Sequence, residues 1–443
     1  MRASLALAVL LATSLVAGCS SPPETQPSSG PELPATTDPW VGVQAAMVGV
    51  PCQADASGNG NSANLKLLST VLMPASHDGI HAEIDIRGDL AIHARYGSSG
   101  FELFNITNPM APVHLGNWTH DPDDGALDVK FSPDNATVLV GTGDSIHLVD
   151  VRDPLAPKQV GDWHVSDANP VGGDAAKVLY NSHMFYTKRI AGADWVFLAP
   201  NSNSGVWILK LEGGPDAPKL TYVTQTLPVE GGPLGPHDLY VQKDALDGHW
   251  YLYSADGFHG WTAFNVDNPA SPMPAGGFAN PAEGSYTHTI QTATINGKRI
   301  VATIGEVGAN ILRIYDATVM AAPIPLGFWQ ADTANAPGAP EHDINIAGGN
   351  LYVSYYTHGL YIFNLTAFTA GISIPAAGSA TLHPVAHWAV PGESPSTSPL
   401  GFAGFWDTVV KDGVIYVSHI EGGLVVLGYG CNHAPDARLT SDG

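Results

Sequence analysis

The sequence contains little charge, and basic residues are especially few. Only 13% of its 443 residues are Asp, Glu, Lys or Arg, and 18 Lys and Arg stand against 41 Asp and Glu, which gives a formal net charge of −23. A chain this acidic repels polyanions such as nucleic acids and anionic lipid surfaces. We therefore expect no nucleic-acid partner.

Long helical runs rich in Ala, Leu, Glu and Lys are also missing, whereas 49 Gly and 35 Pro are many for this length. This balance favours strands and turns and predicts an all-β protein. Hydrophobic residues make up 44% of the chain, enough for a substantial core. After the N-terminal segment, no stretch has the 18 consecutive apolar residues typical of a membrane-spanning helix.

Several familiar catalytic motifs are absent. The sequence has no Gly-x-Ser-x-Gly, no His-Glu-x-x-His, no P-loop and no dinucleotide-binding fingerprint. Ordinary hydrolase, NTPase and dehydrogenase functions therefore have no basis in the sequence, and it identifies no catalytic residue.

The N-terminus has the pattern of an export signal. Arg2 provides a positive charge, a short apolar run follows, and small residues precede Cys19. Leu15–Cys19 resembles the lipobox of bacterial lipoproteins, which implies a signal peptide over 1–18, acylation of Cys19 with palmitate among the lipids, and attachment to the membrane through that lipid. The alternative is a plain secretory signal beside a free cysteine.

Residues 19–50 then predict a lipidated cysteine followed by a flexible tether rich in Pro, Ser and Thr. We expect an exported protein anchored in the cell envelope, at the outer membrane or the cell surface. Residues 433–443 predict a disordered tail.

Two further cysteines flank the central region. Cys52 precedes it and Cys431 follows it, and an even pair in an exported chain suggests a disulfide. The alternative is a pair of free thiols.

The central region, 51–432, contains an internal repeat. Each unit begins at a His or an equivalent residue and continues through strands separated by tight turns, as in His342–Asn364. Successive units begin 46 to 64 residues apart, at His81, Leu127, His183, His237, His288, His342 and Trp406.

Repeated four-stranded units of this size are typical of propeller blades, because one such sheet cannot cover its own apolar faces. The seven starts predict an all-β, seven-bladed β-propeller of four-stranded antiparallel blades. After Trp406 only three strands remain, while residues 65–71 resemble a lone fourth strand. We therefore expect N- and C-terminal strands to share the last blade.

The units resemble LVIVD repeats, named for the strand that reads His147-Leu148-Val149-Asp150-Val151 in this chain. The resemblance covers about residues 65–428. It implies the propeller architecture, and it implies no particular activity, because propellers serve binding and catalysis alike.

Histidines recur at the first position of the innermost strands. The second strands return to the same face, and their turns add further histidines with acidic residues nearby: His93, His259, His358 and His419, with Asp256, Glu306 and Glu421. If the blades are aligned, these residues meet at one mouth of the central channel, where neutral imidazoles are suited to copper or zinc. The candidate metal ligands are His81, His183, His237, His288, His342 and His358.

A structural role is the alternative for the same His-Asp motif. The imidazoles would then bond backbone carbonyls, and Asp238, Asp343 and Asp407 would bind amides of the next blade. Residues 351–359 are weakly similar to the selenium-binding protein and methanethiol oxidase family, and histidines also gather on the axis of the nitrous oxide reductase propeller. This chain has no adjacent His-His pair and no spare cysteine nucleophile.

Two functional hypotheses follow. The first is an exported, lipid-anchored, monomeric propeller that acts as a surface binding module for a protein or glycan. The second is a metal-binding oxidoreductase that uses copper or zinc at the histidines.

Overall fold

We describe the fold from a computed structural model. It describes residues 62, 64–73, 80–96, 100–120, 125–168, 182–200, 204–227, 235–279, 286–306, 311–330, 342–371, 380–391, 393 and 403–430. Cys19, Cys52 and Cys431 lie outside these residues, as do the predicted signal, tether and tail. In the described part of the chain, no helix has the length and hydrophobicity needed to cross a bilayer.

The described strands form seven sheets, each the blade of a propeller. Strand β1 (Leu65–Val71) comes first in the chain but belongs to the last blade. Blades 1 to 3 follow in chain order as β2 (Ile80–Arg87), β3 (Leu90–Tyr96), β4 (Gly100–Asn105), β5 (Val113–Thr119), β6 (Asp128–Phe131), β7 (Thr137–Gly141), β8 (Ser145–Asp150), β9 (Lys158–His164), β10 (Met184–Ile190), β11 (Ala193–Ala199), β12 (Trp207–Glu212) and β13 (Lys219–Gln225).

Blade 4 has the same four-stranded antiparallel order, blade 5 carries a fifth, parallel strand at its outer edge, and blades 6 and 7 complete the ring. Their strands are β14 (Asp238–Lys243), β15 (Trp250–Ala255), β16 (Trp261–Asn265), β17 (Met273–Phe278), β18 (Thr289–Ile295), β19 (Lys298–Ile304), β20 (Leu312–Asp316), β21 (Ile324–Trp329), β22 (Asp343–Ala347), β23 (Asn350–Ser354), β24 (Leu360–Asn364), β25 (Ala380–Thr381), β26 (Ala386–Trp388), β27 (Phe405–Lys411), β28 (Val414–His419) and β29 (Gly423–Tyr429).

Blade 7 confirms the predicted closure by both ends of the repeat region. Its strand order is β1-β29-β28-β27, and β1 pairs antiparallel with β29 from Leu65 opposite Tyr429 to Val71 opposite Leu424. The seven predicted unit starts all lie within one residue of the beginning of an innermost strand. The seven-bladed architecture is therefore as the sequence predicts.

Blade 6 is the irregular one. After β24 the chain forms helix α1 (Leu365–Gly371), and Asn364 Oδ1 accepts a hydrogen bond from the Ala367 amide at 2.8 Å, as an N-cap does. Blades 1 to 5 have proline in the bend at this point, whereas residues 365–371, which directly follow β24, contain none and a helix can begin. Strand β25 then pairs with β21 of blade 5, and β26 completes blade 6.

Apolar side chains fill the spaces between neighbouring blades. Leu139 of blade 2 packs in one cluster with Val196 and Trp207 of blade 3, and all three are fully buried. Trp329 of blade 5 meets Phe363 of blade 6 with ring centroids 5.1 Å apart. Each such side chain contributes about 1.5–3 kcal/mol through burial, so blade stacking is the main source of stability.

Polar side chains of the innermost strands also join successive blades, because each accepts a hydrogen bond from a backbone amide of the next blade. The donor–acceptor pairs are Phe131–Asp85 at 2.9 Å, Phe185–Asp128 at 2.7 Å, Ile346–Gln291 at 3.0 Å and Ile84–Asp407 at 3.1 Å. Asp238 and Asp343 do not make the bond to the next blade that a purely structural role for the His-Asp motif predicts. Each accepts a hydrogen bond from the backbone amide of the next residue in its own strand.

Glycines in the fourth strands lie against backbone of the next blade. A Cβ atom on Gly276 would overlap the carbonyl oxygen of Met320, whereas a Cβ on Gly116, at the same position of blade 1, would stay 3.5 Å from the carbonyl oxygen of Pro154. Backbone cannot move aside as a side chain can. Close packing between the blades therefore requires glycine at position 276 and tolerates the methyl group of alanine at position 116.

The seam between blades 7 and 1 buries an unpartnered histidine. His93 of β3 is 0% exposed, and neither of its ring nitrogens has a hydrogen-bond partner among the described residues. Its ring centroid lies 5.0 Å from that of Phe104 and 5.5 Å from that of His81. Burial, and secondarily His81, lowers the pKa of His93 well below its ordinary value, so this imidazole stays neutral.

The glycine packing yields a matched pair of variants. We expect Gly276→Ala to lower the free energy of unfolding by about 2 kcal/mol, because the added methyl group overpacks the blade 4–blade 5 contact. We expect Gly116→Ala to change it by less than about 1 kcal/mol. Chemical denaturation measures both, and equal effects in the two variants would contradict the packing described.

The seam histidine yields a pH-dependent prediction. The pKa of His93 is lower in the folded than in the unfolded chain, so the parent protein loses stability as pH falls through the unfolded value near 6.5. His93→Leu removes this loss. We expect the variant to gain about 2 kcal/mol relative to the parent between about pH 7 and pH 5. Urea unfolding at each pH measures the difference, and the exposed His383→Leu serves as control.

Candidate functional site

The first residues of the innermost strands enclose a cavity at one mouth of the central channel, which we call the histidine mouth. Its volume is about 20 Å³. That is room for a water molecule or a metal ion, and too little for an organic ligand. All seven blades contribute to its lining, through Glu83, Leu127, His183, Met184, His237, Asp238, His288, Thr289, His342 and Trp406.

His183 and His237 meet directly in this cavity. Their Nε2 atoms are 2.8 Å apart, so one nitrogen carries the proton and the other accepts it. Burial lowers the pKa of His183 to about 3 and that of His237 well below its ordinary value, which keeps both imidazoles neutral at pH 7. The Nδ1 atom of His183 has no hydrogen-bond partner among the described residues.

His288 pairs with an acidic residue that follows β19. Its Nε2 lies 3.2 Å from Oε2 of Glu306, and the Tyr356 hydroxyl donates to Oε1 of Glu306 at 3.1 Å. Burial opposes charge on both partners, but their attraction outweighs it. The pKa of His288 is therefore raised, and the pKa of Glu306 is lowered to about 2.

Backbone carbonyls of the following blade orient two of the imidazoles. The Nδ1–H of His288 donates to the carbonyl oxygen of His342 at 2.9 Å, and the Nδ1–H of His342 donates to that of Trp406 at 2.8 Å. A donor bond at Nδ1 leaves Nε2 as the atom that can bind a ligand. These bonds are the ones that a structural role for the histidines predicts. They also fix the orientation of each ring, as backbone carbonyls do for metal-bound histidines.

The donor atoms converge closely enough to hold one metal ion. One ligand atom each from His237, His288 and Glu306 lie within 4.8 Å of one another, and His183 adds the nitrogen 2.8 Å from His237. Four ligands with bonds of about 2.0–2.1 Å in a tetrahedron lie about 3.3 Å apart. The four residues thus offer three nitrogens and one oxygen as donors for one ion.

The structure places two predicted ligands away from this cavity. His81 does not line it, because β2 contains a bulge between His81 and Ile84 that turns His81 toward His93 in the seam. His358 lies in the turn before β24, where its ring is 5.0 Å from that of Tyr355 and its carbonyl oxygen accepts a hydrogen bond from His387. His183, His237, His288 and His342 all line the cavity.

A group of acidic side chains lies next to the histidines, and we call it the carboxyl layer. Oxygen atoms of Glu83, Asp343 and Asp407 lie within 4.8 Å of one another in a fully buried place. Burial, followed by the charge of Asp407, raises the pKa of Glu83 and Asp343 well above ordinary values. The ammonium group of Lys130 pairs with Asp128 and lies 4.0 Å from Glu83.

Aromatic side chains flank the histidines on two sides. Tyr286 lies over His237, with centroids 5.8 Å apart, and Tyr356 lies 5.1 Å from His342. Trp406 is 4.2 Å from His342 and donates its Nε1–H to Glu83 at 3.0 Å. This surrounding limits water around the imidazoles and lowers the local dielectric.

Sequence reasoning placed Glu306 near the histidines without naming it as a metal ligand, and it missed Tyr356, Glu83 and Lys130. Glu306 and Tyr356 follow the second strands of their blades, where chains return to the histidine mouth, so their place in the repeat offered a signal. Glu83 is offset by the β2 bulge and has no equivalent sequence position. Lys130 is a lysine buried in the channel, which composition cannot indicate.

No protein-family model matches the chain, and no curated protein matches it in sequence. Solved structures do share its fold. Sqt1 from Saccharomyces cerevisiae is 10% identical with a TM-score of 0.51, and the match covers 84% of this chain and 100% of Sqt1. Raptor from Chaetomium thermophilum is 11% identical with a TM-score of 0.52, covering 83% of this chain and 28% of Raptor. Likeness at such low identity concerns the propeller fold alone.

Proposed function

We propose that this protein is a metal-binding propeller that holds one copper or zinc ion at the histidine mouth. The ligands are His183, His237, His288 and Glu306. The observation that carries the proposal is the convergence of their donor atoms. The Nε2 atoms of His183 and His237 are 2.8 Å apart, and donor atoms of His237, His288 and Glu306 lie within 4.8 Å of one another. The cavity of about 20 Å³ matches an ion better than an organic ligand.

The ligand set favours a borderline metal. Neutral imidazoles suit zinc and copper, whereas magnesium and calcium prefer all-oxygen sites. The described ligands include no thiolate, so the set is not one that selects copper(I). A bound cation would also replace the proton that His288 shares with Glu306.

The cell envelope is the proposed location. The Leu15–Cys19 segment supports export and attachment through lipid on Cys19, and the strand at His147–Val151 supports a relationship to LVIVD-repeat lipoproteins. The short apolar run before Cys19 is typical of a cleaved signal. The metal site would then face the envelope rather than the cell interior.

The propeller fold is also consistent with an interaction module, and a protein or glycan ligand stays a prediction from the sequence. Within the described residues, the imidazole and carboxylate donors at the histidine mouth indicate a metal ion directly. Among those residues, we see no group that indicates a protein or glycan ligand as directly. Oxidoreductase activity requires copper, because zinc has no redox chemistry. Identifying the bound metal as copper or zinc therefore decides whether electron transfer at this site is chemically available.

The first test of the site is metal content. Protein purified without chelators should contain about one copper or zinc ion per chain by elemental analysis. We expect His237→Ala to weaken binding by more than about 100-fold, since losing even an outer partner of a metal ligand costs about 10–100-fold. The exposed His249→Ala, whose partner is Asp267, is the matched control and should retain the metal.

Two results would contradict the site. The first is parent protein that contains no stoichiometric metal and takes up neither ion after chelation and reconstitution. The second is equal affinity in His237→Ala and the parent. Thermal unfolding of each variant confirms that the folded state is compared. A metal concentration that saturates the parent should raise the unfolding temperature of the parent and of His249→Ala, and should leave that of His237→Ala nearly unchanged.

The second test concerns Tyr356, which positions Glu306 through the 3.1 Å hydrogen bond to Oε1. We expect Tyr356→Phe to weaken metal binding by about 10–100-fold, because the carboxylate loses the contact that orients it. Competition titration with a chelator of known affinity measures this change. If Tyr356→Phe binds the metal with the same affinity as the parent, other contacts must hold Glu306 in place.

A further inference from the structure

The channel beyond the carboxyl layer has a different chemical character from the histidine mouth. Tyr186 and Lys188 of β10 point into it from blade 3, and Tyr240 of β14 comes from blade 4, with the Tyr186 and Tyr240 ring centroids 5.4 Å apart. At about 3.3 Å per residue, Lys188 lies about 16 Å along the strand from His183. We call Lys188, Tyr186, Tyr240 and Arg87 the donor group.

The donor group contains hydrogen-bond donors that have no acceptor. Among the described residues, neither the Lys188 ammonium nor the hydroxyls of Tyr186 and Tyr240 form a hydrogen bond or an ion pair. The ammonium groups of Lys188 and Lys130 lie 5.8 and 5.5 Å from the centroid of the Tyr186 ring. Lys188 and both tyrosines are only partly exposed.

The nearest carboxylate is already occupied. Asp85 Oδ1 accepts from the Ile86 amide at 2.8 Å and from Arg87 at 2.9 Å, and Oδ2 accepts from the Phe131 amide at 2.9 Å. Burial and the charge of Arg87 lower the pKa of Lys188 despite the opposing charge of Asp85. Within the donor group, Arg87 is therefore paired with Asp85, whereas Lys188 has no bonded counterion among the described residues.

We propose that the donor group binds a small oxyanion, a phosphate or a carboxylate, at the end of the channel opposite the histidine mouth. Lys188 and Arg87 supply charge, and the tyrosine hydroxyls supply directed hydrogen bonds. Charge-assisted hydrogen bonds of this kind are the strong ones in a partly buried site. This binding is independent of the metal proposed above.

The size and charge of the ligand follow from the surroundings. The formal net charge of −23 repels large polyanions from the protein surface. A small oxyanion carries few charges and therefore meets less of this repulsion than a polyanion does. Phosphate and acetate are therefore the probes of choice.

The test uses full-length protein treated with EDTA, so that a metal at the histidine mouth plays no part. Inorganic phosphate or acetate is titrated at constant ionic strength set with chloride, and thermal unfolding is followed. At an oxyanion concentration about ten times the dissociation constant, we expect the parent's unfolding temperature to rise by about 3 °C. Lys188→Met should abolish the rise, while the exposed Lys243→Met should keep it.

Tyr240→Phe supplies a second variant that removes one donor without changing charge, and it decides the test if Lys188→Met does not fold. We expect it to weaken binding about threefold to tenfold, as loss of one hydrogen bond does. A rise with either oxyanion that depends on Lys188 or Tyr240 supports the site. No rise in the parent, or an equal rise in all variants, overturns it.

Discussion

The antiparallel pairing of β1 with β29 is the contact on which the rest of the structure depends. A stack of blades has two end faces, and each would expose an apolar sheet surface to water. Pairing Leu65–Val71 with the C-terminal strand places blade 7 against both blade 6 and blade 1. Because the ring is closed, the innermost strands are held at fixed distances around one axis, and a channel with defined mouths exists.

Closure also forces polar side chains into a narrow, poorly hydrated space. The imidazoles of His183 and His237 stay neutral there, and the carboxyl groups of Glu83 and Asp343 favour their protonated forms. Burying charge without a partner is costly, so each group must find a proton, an ion pair or a cation. The proposed metal ion satisfies this requirement at the histidine mouth, and the proposed oxyanion satisfies it at the donor group.

A single repeat position serves structure and chemistry together. The Nδ1–H groups of His288 and His342 bind carbonyls of the next blade, which helps to hold successive blades in register. The same bonds direct Nε2 toward the channel. A structural role for the His-Asp motif and a metal-binding role are therefore compatible, because each imidazole has two nitrogens with separate partners.

The sequence by itself determined the seven units, their innermost strands and the shared last blade, because strand periodicity, turns and unit spacing are local signals. It also identified His183, His237, His288 and His342 as residues of one mouth. Only the tertiary structure decided which atoms meet. The bulge in β2 moved His81 into the seam, and strand returns brought Glu306 and Tyr356 beside His288. The contact of Tyr356 with Glu306 joins blades 6 and 5, and those within a blade depend on strand register and on the bulge in β2, which no local sequence pattern encodes.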